Sequence, residues 1–331
     1  MKPAIAFVTG GYSSESVISY KSAVTIENNL DTEKYDVYRI DLTPDGWFHQ
    51  TKAGEKINVD KSDFSLQIAG KKILFDAALI GIHGTPGEDG RLQGYLDLLN
   101  IPYNTCDTAS SAITFNKRYS VAVAGFAGVN VARSVHIFKS HPLSAEEILQ
   151  QLSLPVFVKP NNGGSSIGMS KVNKAEELAG ALLKAFAEDD QVLVEEFIQG
   201  REFTVGVIRT TKELLVLPIT EVRSKNEFFD FEAKYQGLNE ETTPAQISDV
   251  MADKVRSTAR KIYDALNCRG VVRMDFIYNE AKDAPFFLEV NTIPGQSEAS
   301  IVPQQVRAMG WTLKGLYTEM IEDALSRKKS S

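Results

Sequence analysis

Apolar and polar positions follow two periods in the first third of the chain, and together they predict alternating strands and helices. Short apolar runs predict strands at AIAFVTGG (4–11), YDVYRIDL (35–42) and FDAALIGIHG (75–84). Longer amphipathic stretches predict helices at 16–30 and 91–100. Strands that are separated by helices pair in parallel, so this part predicts an α/β layer around a parallel sheet.

The pattern changes after residue 105 and predicts two further domains. A helical pattern covers 114–128, and a second helix at 251–266 places Val255, Ala259, Ile262 and Leu266 on one face. Strand patterns come at 134–138, 156–160, 191–197, 201–208, 214–219, 270–279 and 285–291. We therefore predict domains at 1–105, 106–191 and 192–331. The polar, aromatic and aperiodic stretch 224–244 predicts a functional loop.

Composition narrows the class of protein without identifying it. The 331 residues include 43 acidic and 36 basic ones, giving a net charge of −7, which argues against a nucleic-acid binder that neutralises phosphates. No stretch approaches the ~20 apolar residues of a membrane span. Cys106 and Cys268 are too far apart in sequence to suggest a zinc motif or a disulfide framework. We expect a cytoplasmic globular protein that binds neither nucleic acid nor membrane.

Two acidic residues near the end of the chain are predicted to face each other across a hairpin. A symmetric antiparallel pairing of 271–278 with 286–293 places Asp275 opposite Glu289 and Arg273 opposite Asn291. The same register pairs Tyr278 with Phe286. The opposite face, directed into a core, would carry Val272, Met274, Phe276, Leu288 and Val290.

Carboxylates that are directly opposed repel each other unless a cation or a shared proton lies between them. Oxygen donors without imidazole or thiolate favour Mg²⁺, which usually completes its coordination with substrate phosphates. The alternative is a solvated hairpin face on which Arg273 neutralises Asp275.

A second pattern suggests where such phosphates would lie. In FVKPNNGGSSIGMSKV (157–172) a strand ends at Lys159, and a loop rich in Gly and Ser follows, which allows backbone N–H groups to approach phosphate. The lysine precedes the glycines, so this is not the usual P-loop. Further on, VLVEEFIQGREF (192–203) carries Glu195 and Glu202, which either accept from a nucleotide or lie solvated on an edge strand.

In order along the chain, these segments resemble the D-alanine–D-alanine ligase family of ATP-grasp ligases. The stretches that carry the resemblance are FVTGGYSSESVIS, GIHGTPGEDGRLQGYLDLLNIPY, FNK, FVKPNNGGSSIGMSKV, VLVEEFIQGREFTVGV, FFDFEAKY, GVVRMDF and FLEVNTIPG. The resemblance implies an ATP-grasp fold, α/β overall, with an N-terminal parallel-sheet α/β domain followed by two domains that grip ATP.

The resemblance also implies roles for individual residues around ATP. The phosphates would be held by Lys117, Lys159, Ser165 and Lys234. The adenosine would contact Glu195, Phe197, Ile198 and Glu202. Two Mg²⁺ ions, for which Mn²⁺ can substitute, would be ligated by Asp275, Glu289 and Asn291.

The implied activity is the ATP-dependent joining of two D-alanine molecules through an acyl phosphate, for peptidoglycan precursor synthesis. Glu15 would pair with the first ammonium group, linked to Ser165 and Tyr235, and His83 would assist the first carboxylate. The roles implied for the remaining residues are oxyanion stabilisation by Arg273 and the Gly295 N–H, and binding of the second carboxylate by Ser300 and Ile301. The family also implies a homodimer.

Three other interpretations stay open at the level of sequence. One is another ATP-grasp carboxylate–amine ligase, including relatives that use D-serine or form an ester with D-lactate. Another is a nucleotide-binding sensor without turnover, against which the presence of Arg273 and Lys234 argues. The third is an NAD-dependent oxidoreductase, but TGGYSSES lacks the third glycine of the dinucleotide fingerprint.

Overall fold

The first part of the chain forms the predicted parallel α/β layer. The computed structural model describes residues 2–51, 53–164, 167–224 and 239–327. Its elements to residue 98 are β1 (Ala4–Gly10), α1 (Ser16–Asn29), β2 (Asp36–Thr43), β3 (Gly46–Gln50), β4 (Lys56–Asn58), β5 (Leu66–Ile68), β6 (Lys71–Ile73), β7 (Ala77–Ile80) and α2 (Arg91–Leu98). The sheet order is β4-β3-β2-β1-β7, in which β1 runs parallel to β2 and β7. Strands β5 and β6 form a separate small hairpin.

The middle of the chain forms an antiparallel sheet in the order β10-β9-β11-β8. Its elements are α3 (Thr108–Phe115), α4 (Lys117–Phe126), β8 (Ser134–Phe138), α5 (Ala145–Leu149), β9 (Val156–Pro160), β10 (Ser170–Val172), α6 (Leu178–Phe186) and β11 (Gln191–Glu196). The prediction of one helix over 114–128 was wrong, because the chain leaves helical geometry at Asn116 and starts again. Asn116 caps α4 by accepting a hydrogen bond from the Tyr119 N–H.

The last part contains the largest sheet, in the order β15-β14-β12-β16-β17, with β13 also paired to β12. Its elements are β12 (Arg201–Arg209), β13 (Leu214–Val216), β14 (Thr220–Ser224), β15 (Asn239–Thr242), α7 (Asp249–Ala265), β16 (Val271–Asn279), β17 (Ala284–Asn291), α8 (Ile301–Ala308) and α9 (Leu313–Ser326). Helix α7 buries Val255, Ala259 and Ile262 against this sheet, as its periodicity predicts. No helix within the described ranges is long and apolar enough to cross a membrane.

The predicted hairpin register holds at one end of β16 and β17 and fails at the other. Asp275 pairs with Glu289 and Arg273 pairs with Asn291, as predicted. A bulge then shifts the register, so Tyr278 pairs with Pro285 and the predicted pairing with Phe286 was wrong.

The prediction that Leu288 lies in the core was wrong. Leu288 is the extra residue of the bulge, between the partners of Asp275 and Phe276. It lines an open cleft.

Helices from one part of the chain pack against the sheet of another part, so the three sheets are not three independent units. Helix α9 packs in the same core as β1 and α1 of the first sheet, with Tyr317 and Ile321 among its buried residues. Helix α4 packs through Val121 and Ala124 in the core of the largest sheet. The proposed division at residues 105 and 191 stays a prediction. Since β11 ends at Glu196 within the antiparallel sheet, we would place the second boundary after that residue.

Strand β12 pairs with β14 near its start and with β13 near its end, and a fully buried glutamine lies between these two pairings. Gln305, on α8, accepts a hydrogen bond from the Gly206 N–H at 2.9 Å. Its amide donates to the Thr204 carbonyl and to the Thr220 hydroxyl, both at 3.0 Å. This side chain therefore completes the backbone hydrogen bonding that the sheet cannot supply there, and it fixes α8 against β12.

Replacing Gln305 by alanine should destabilise the protein strongly, because buried backbone groups of β12 would lose their partners. We expect the free energy of unfolding to fall by about 2–4 kcal/mol in urea denaturation. Gln151→Ala is the matched control, since the Gln151 side chain is exposed and bonds only to the Glu147 carbonyl. Equal stability of the two variants would contradict the bridging role.

Candidate active site

Every predicted site residue that the structure describes lines one cleft, with a volume of about 940 Å³. These residues are Glu15, His83, Lys117, Lys159, Glu195, Phe197, Ile198, Glu202, Arg273, Asp275, Glu289, Asn291, Gly295, Ser300 and Ile301. Ser165, Lys234 and Tyr235 lie outside the described residues, as does most of the predicted loop at 224–244. The cleft is thus built from the two antiparallel sheets, together with the start of α1 and the loop after β7.

Opposed carboxylates form one wall of the cleft. Asp275 receives two hydrogen bonds from the Arg273 guanidinium, at 3.1 and 2.9 Å, and one from the Thr204 hydroxyl at 2.9 Å. On the facing strand, Glu289 Oε2 lies 3.4 Å from Lys117 Nζ. Burial alone would lower the Arg273 pKa. The charge and hydrogen bonds of Asp275 outweigh this effect, so the Arg273 pKa lies above its ordinary value. Arg273 therefore stays a cation within the cleft.

The donors at this wall fit a hard divalent cation. Asp275, Glu289 and Asn291 supply only oxygen donors, and the register places them on one face of paired strands. In the part of the chain that the structure describes, no group of three or more His, Cys, Asp or Glu converges on a possible metal position. A cation here would therefore take further ligands from phosphate or water, as Mg²⁺ usually does.

Two lysines flank the Gly-rich loop after β9. Lys117, the first residue of α4, donates from Nζ to the Gly163 carbonyl at 2.6 Å. Its backbone N–H bonds to the Asn161 carbonyl at 3.0 Å, so the start of α4 is fixed to this loop. Lys159 forms a buried ion pair with Glu195 on the neighbouring strand. Both ammonium groups are held where a polyphosphate would pass the loop.

Apolar side chains also line the cleft. Phe157 and Phe197 pack with ring centroids 5.9 Å apart, and the Lys171 ammonium lies 4.9 Å from the Phe197 centroid. Ile198 and Leu288 also line this cleft, and Leu288 does so because of the β17 bulge. A flat aromatic base fits between such walls.

The Glu15 carboxylate is enclosed by two glycines from different parts of the chain. A Cβ atom at Gly84, where φ is +68°, would lie 2.6 Å from Glu15 Oε2. A Cβ atom at Gly164 would lie 3.0 Å from Glu15 Oε1. Glycine at both positions therefore allows the HGTPGEDG loop and the Gly-rich loop to meet around this carboxylate.

Glu88 is a cleft residue that the sequence analysis did not assign. It is buried, and its Oε2 accepts a hydrogen bond from the Gly84 N–H at 2.6 Å. Burial raises the Glu88 pKa to about 8, and the nearby charge of Glu15 contributes to this shift. The signal was present in HGTPGEDG, but an acidic residue in a Gly-rich loop is usually solvated, so only the fold shows its burial.

The turn before α8 forms the far end of the cleft. The Ser297 and Ser300 hydroxyl oxygens lie 2.7 Å apart, and Ser300 precedes the first residue of the helix, Ile301. A Cβ atom at Gly295 would lie 2.8 Å from Ser300 Oγ, so a larger residue there would displace the Ser300 hydroxyl. The cleft thus ends at the N-terminal end of α8, which favours a negative group.

A nucleotide-sized cleft between two antiparallel sheets, with lysines on one side and opposed carboxylates on the other, is the arrangement of the ATP-grasp ligases. Family models describe both parts of the chain: residues 4–106 match the D-ala D-ala ligase N-terminus and residues 116–322 match the D-ala D-ala ligase C-terminus. The chain belongs to the D-alanine–D-alanine ligase family. The resemblance stated from the sequence is confirmed, as is the ATP-grasp fold class.

Similar proteins cover the chain from end to end. A D-alanine–D-alanine ligase of Parabacteroides distasonis is 45% identical, with 100% of both chains covered. The solved VanG D-Ala:D-Ser ligase from Enterococcus faecalis has a TM-score of 0.87 and 31% identity, covering 98% of this chain and 100% of that one. A D-alanine–D-alanine ligase from Bacillus anthracis complexed with ATP has a TM-score of 0.80 and 28% identity, with 98% of each chain covered.

Because the Glu88 pKa is raised in the folded protein, the stability of the protein should depend on pH. Between the ordinary value of 4.5 and about 8, the folded protein keeps a proton that the unfolded chain has released. This contribution to stability therefore falls as the pH rises through that window, and it levels off above it. Glu88→Gln cannot ionise, so its melting temperature relative to wild type should rise between about pH 5 and pH 8.5.

The control for this measurement is Glu280→Gln, because Glu280 is an exposed residue in the β16–β17 turn. Its melting temperature should follow that of wild type at every pH. If Glu88→Gln and wild type changed in parallel with pH, Glu88 would not carry the raised pKa.

Proposed function

We propose that the chain joins two D-alanine molecules to D-alanyl-D-alanine, using ATP to activate the first carboxylate. The observation that carries this proposal is the single cleft in which the Glu15 carboxylate, the Arg273 guanidinium and the opposed Asp275 and Glu289 meet. Carboxylate activation followed by amine attack needs three kinds of group: an anion to bind an ammonium group, a cation to stabilise an oxyanion, and oxygen ligands for a metal ion. The names of the full-length relatives support the same reaction.

ATP fits the cleft with its phosphates at the two lysines. Lys117 and Lys159 would neutralise phosphate charge at the Gly-rich loop, with Ser165 and Lys234 completing this contact. The base would contact the apolar part of the cleft, which includes Phe197 and Leu288. The remaining nucleotide contacts would come from Glu195, Ile198 and Glu202, all of which line the cleft.

Two Mg²⁺ ions, or Mn²⁺ in their place, would be held by Asp275, Glu289 and Asn291. When bound, such ions neutralise charge on the transferring phosphoryl group. Arg273 orients the Asp275 carboxylate by two hydrogen bonds, and the Thr204 hydroxyl donates a third to one of its oxygens. Those contacts leave the carboxylate preorganised at the wall of the cleft.

The proposed reaction proceeds in two transfers. A carboxylate oxygen of the first D-alanine attacks the γ-phosphorus of ATP, the bond to the β–γ bridging oxygen breaks and ADP leaves. The amine nitrogen of the second D-alanine then attacks the acyl carbon, inorganic phosphate leaves and the nitrogen loses a proton. Glu15 would hold the first ammonium group, and Arg273 with the Gly295 N–H would donate to the oxyanion.

The second substrate would place its carboxylate at the N-terminal end of α8. Ser300 and Ile301 lie there, and the helix end favours an anion. A D-serine-using ligase is the second candidate, since the VanG D-Ala:D-Ser ligase is among the solved structures most similar to this chain. The two candidates differ only in the side chain that the second subsite admits.

The roles of Ser165, Lys234 and Tyr235 concern residues outside the described ranges. A homodimer, a cytoplasmic location and the contact between His83 and the first carboxylate also stay predictions.

The choice of second substrate is tested by product analysis. Purified protein with ATP, Mg²⁺ and D-alanine should form D-alanyl-D-alanine and release phosphate in equal amounts. In equimolar competition, D-alanine should be incorporated in preference to D-serine or D-lactate. A mixed dipeptide or an ester as the main product would favour the alternatives, and an absence of any ligation would exclude the proposed function.

Replacing Glu289 by glutamine should impair metal use while leaving the fold intact, because the amide keeps the shape but loses the charge. We expect the Mg²⁺ concentration for half-maximal activity to rise by about tenfold or more, with a severe loss of kcat. Glu280→Gln, in the turn of the same hairpin, serves as the control. Wild-type Mg²⁺ dependence in Glu289→Gln would remove this residue from the metal site.

A further inference from the structure

The turn that joins β17 to α8 carries two of the proposed functional groups, yet neither a strand nor a helix fixes it. Asn291 ends β17 and Gly295 lies four residues further on, before α8 begins at Ile301. Within the turn, the Asn291 side-chain oxygen accepts from the Ile293 N–H at 3.0 Å. The orientation of the Gly295 N–H therefore depends on contacts that reach the turn from outside.

His83 provides one such contact through its ring. The ring nitrogen Nε2 lies 3.1 Å from the Ser22 hydroxyl on α1. Burial and the charge of Arg273 lower the His83 pKa to about 4, so the ring at this contact is neutral.

Ser22 extends this contact to the turn. Its Oγ accepts a hydrogen bond from the Gln296 N–H at 3.1 Å. The peptide between Gly295 and Gln296 is therefore joined to α1 and, through Ser22, to the His83 ring.

The backbone of His83 is fixed to the same helix. Its N–H donates to the Ser19 hydroxyl at 2.9 Å. The ring and the backbone of His83 are therefore both held by α1, through serines three residues apart.

We infer that His83 is a positioning residue, which holds Ser22 so that Asn291 and the Gly295 N–H keep their orientation in the cleft. The inference rests on the proposed function for the roles of those two groups. It differs from a contact between His83 and the first substrate's carboxylate, because it acts through Ser22 and the turn.

A double-mutant cycle separates the two roles. His83→Ala and Ser22→Ala should each lower kcat, by on the order of tenfold to a hundredfold for His83→Ala, since small misplacements of reacting groups are costly. The KM of the first D-alanine should stay within about twofold of wild type. The variants displace groups that act on the reacting atoms and not the groups that bind this substrate. The double variant should lose less than the product of the two single effects, because both belong to one network.

Rescue and control variants make the cycle specific. His83→Gln places a side-chain amide near the Nε2 position that contacts Ser22, and it should recover part of the kcat that His83→Ala loses. Ser111→Ala is the matched control, because Ser111 is also buried but donates to the Cys106 carbonyl, away from the turn. Its kcat should equal that of wild type. A raised KM for the first D-alanine in the His83 variants, with independent effects of Ser22→Ala, would instead assign His83 to the substrate.

Hydrogen exchange tests the contact without turnover. Amide exchange over residues 291–296 should accelerate in His83→Ala and in Ser22→Ala, but not in Ser111→Ala. Unchanged exchange in the first two variants would overturn the inference even if the protein makes D-alanyl-D-alanine. Faster exchange in a protein whose wild type makes no dipeptide would instead keep the positioning role and reject the proposed function.

Discussion

The repulsion between Asp275 and Glu289 is the constraint around which the cleft is organised. Their strands pair so that the two carboxylates are directly opposed, an arrangement that by itself destabilises a sheet. Arg273 compensates one carboxylate from the same strand, and Lys117 approaches the other from α4. The site therefore depends on cations from two different elements, and the hairpin alone would not hold it.

The position of Lys117 follows from the break between α3 and α4. Asn116 ends one helix and caps the next, so Lys117 occupies the first turn of α4 and not the middle of a longer helix. From there its ammonium group reaches both the Gly163 carbonyl and Glu289. A continuous helix would turn this side chain differently with respect to the Gly-rich loop, so the interruption is part of the site.

The sequence allows the catalytic end of the hairpin to be predicted, because alternation and symmetry suffice where the pairing is regular. The bulge after Asp275 could not be predicted, since Phe286, Phe287 and Leu288 form an apolar run without a period. The break at Asn116 left a visible signal, a residue type that favours N-caps, but the helical pattern on both sides hides it. Burial of Glu88 depends on tertiary packing, and no local pattern reveals it.

Buried polar side chains, more than apolar packing, join the parts of the molecule at the cleft. Gln305 links α8 to β12, and His83, through Ser22, links the loop after β7 to the turn after β17. Apolar contacts would bring these elements together, but they would not set the rotation of a peptide plane. Hydrogen bonds do, at the cost of burying groups that must all be satisfied. The orientation of a single N–H, such as that of Gly295, is thus determined by residues far from it in sequence, and a site that acts on a developing oxyanion requires that kind of control.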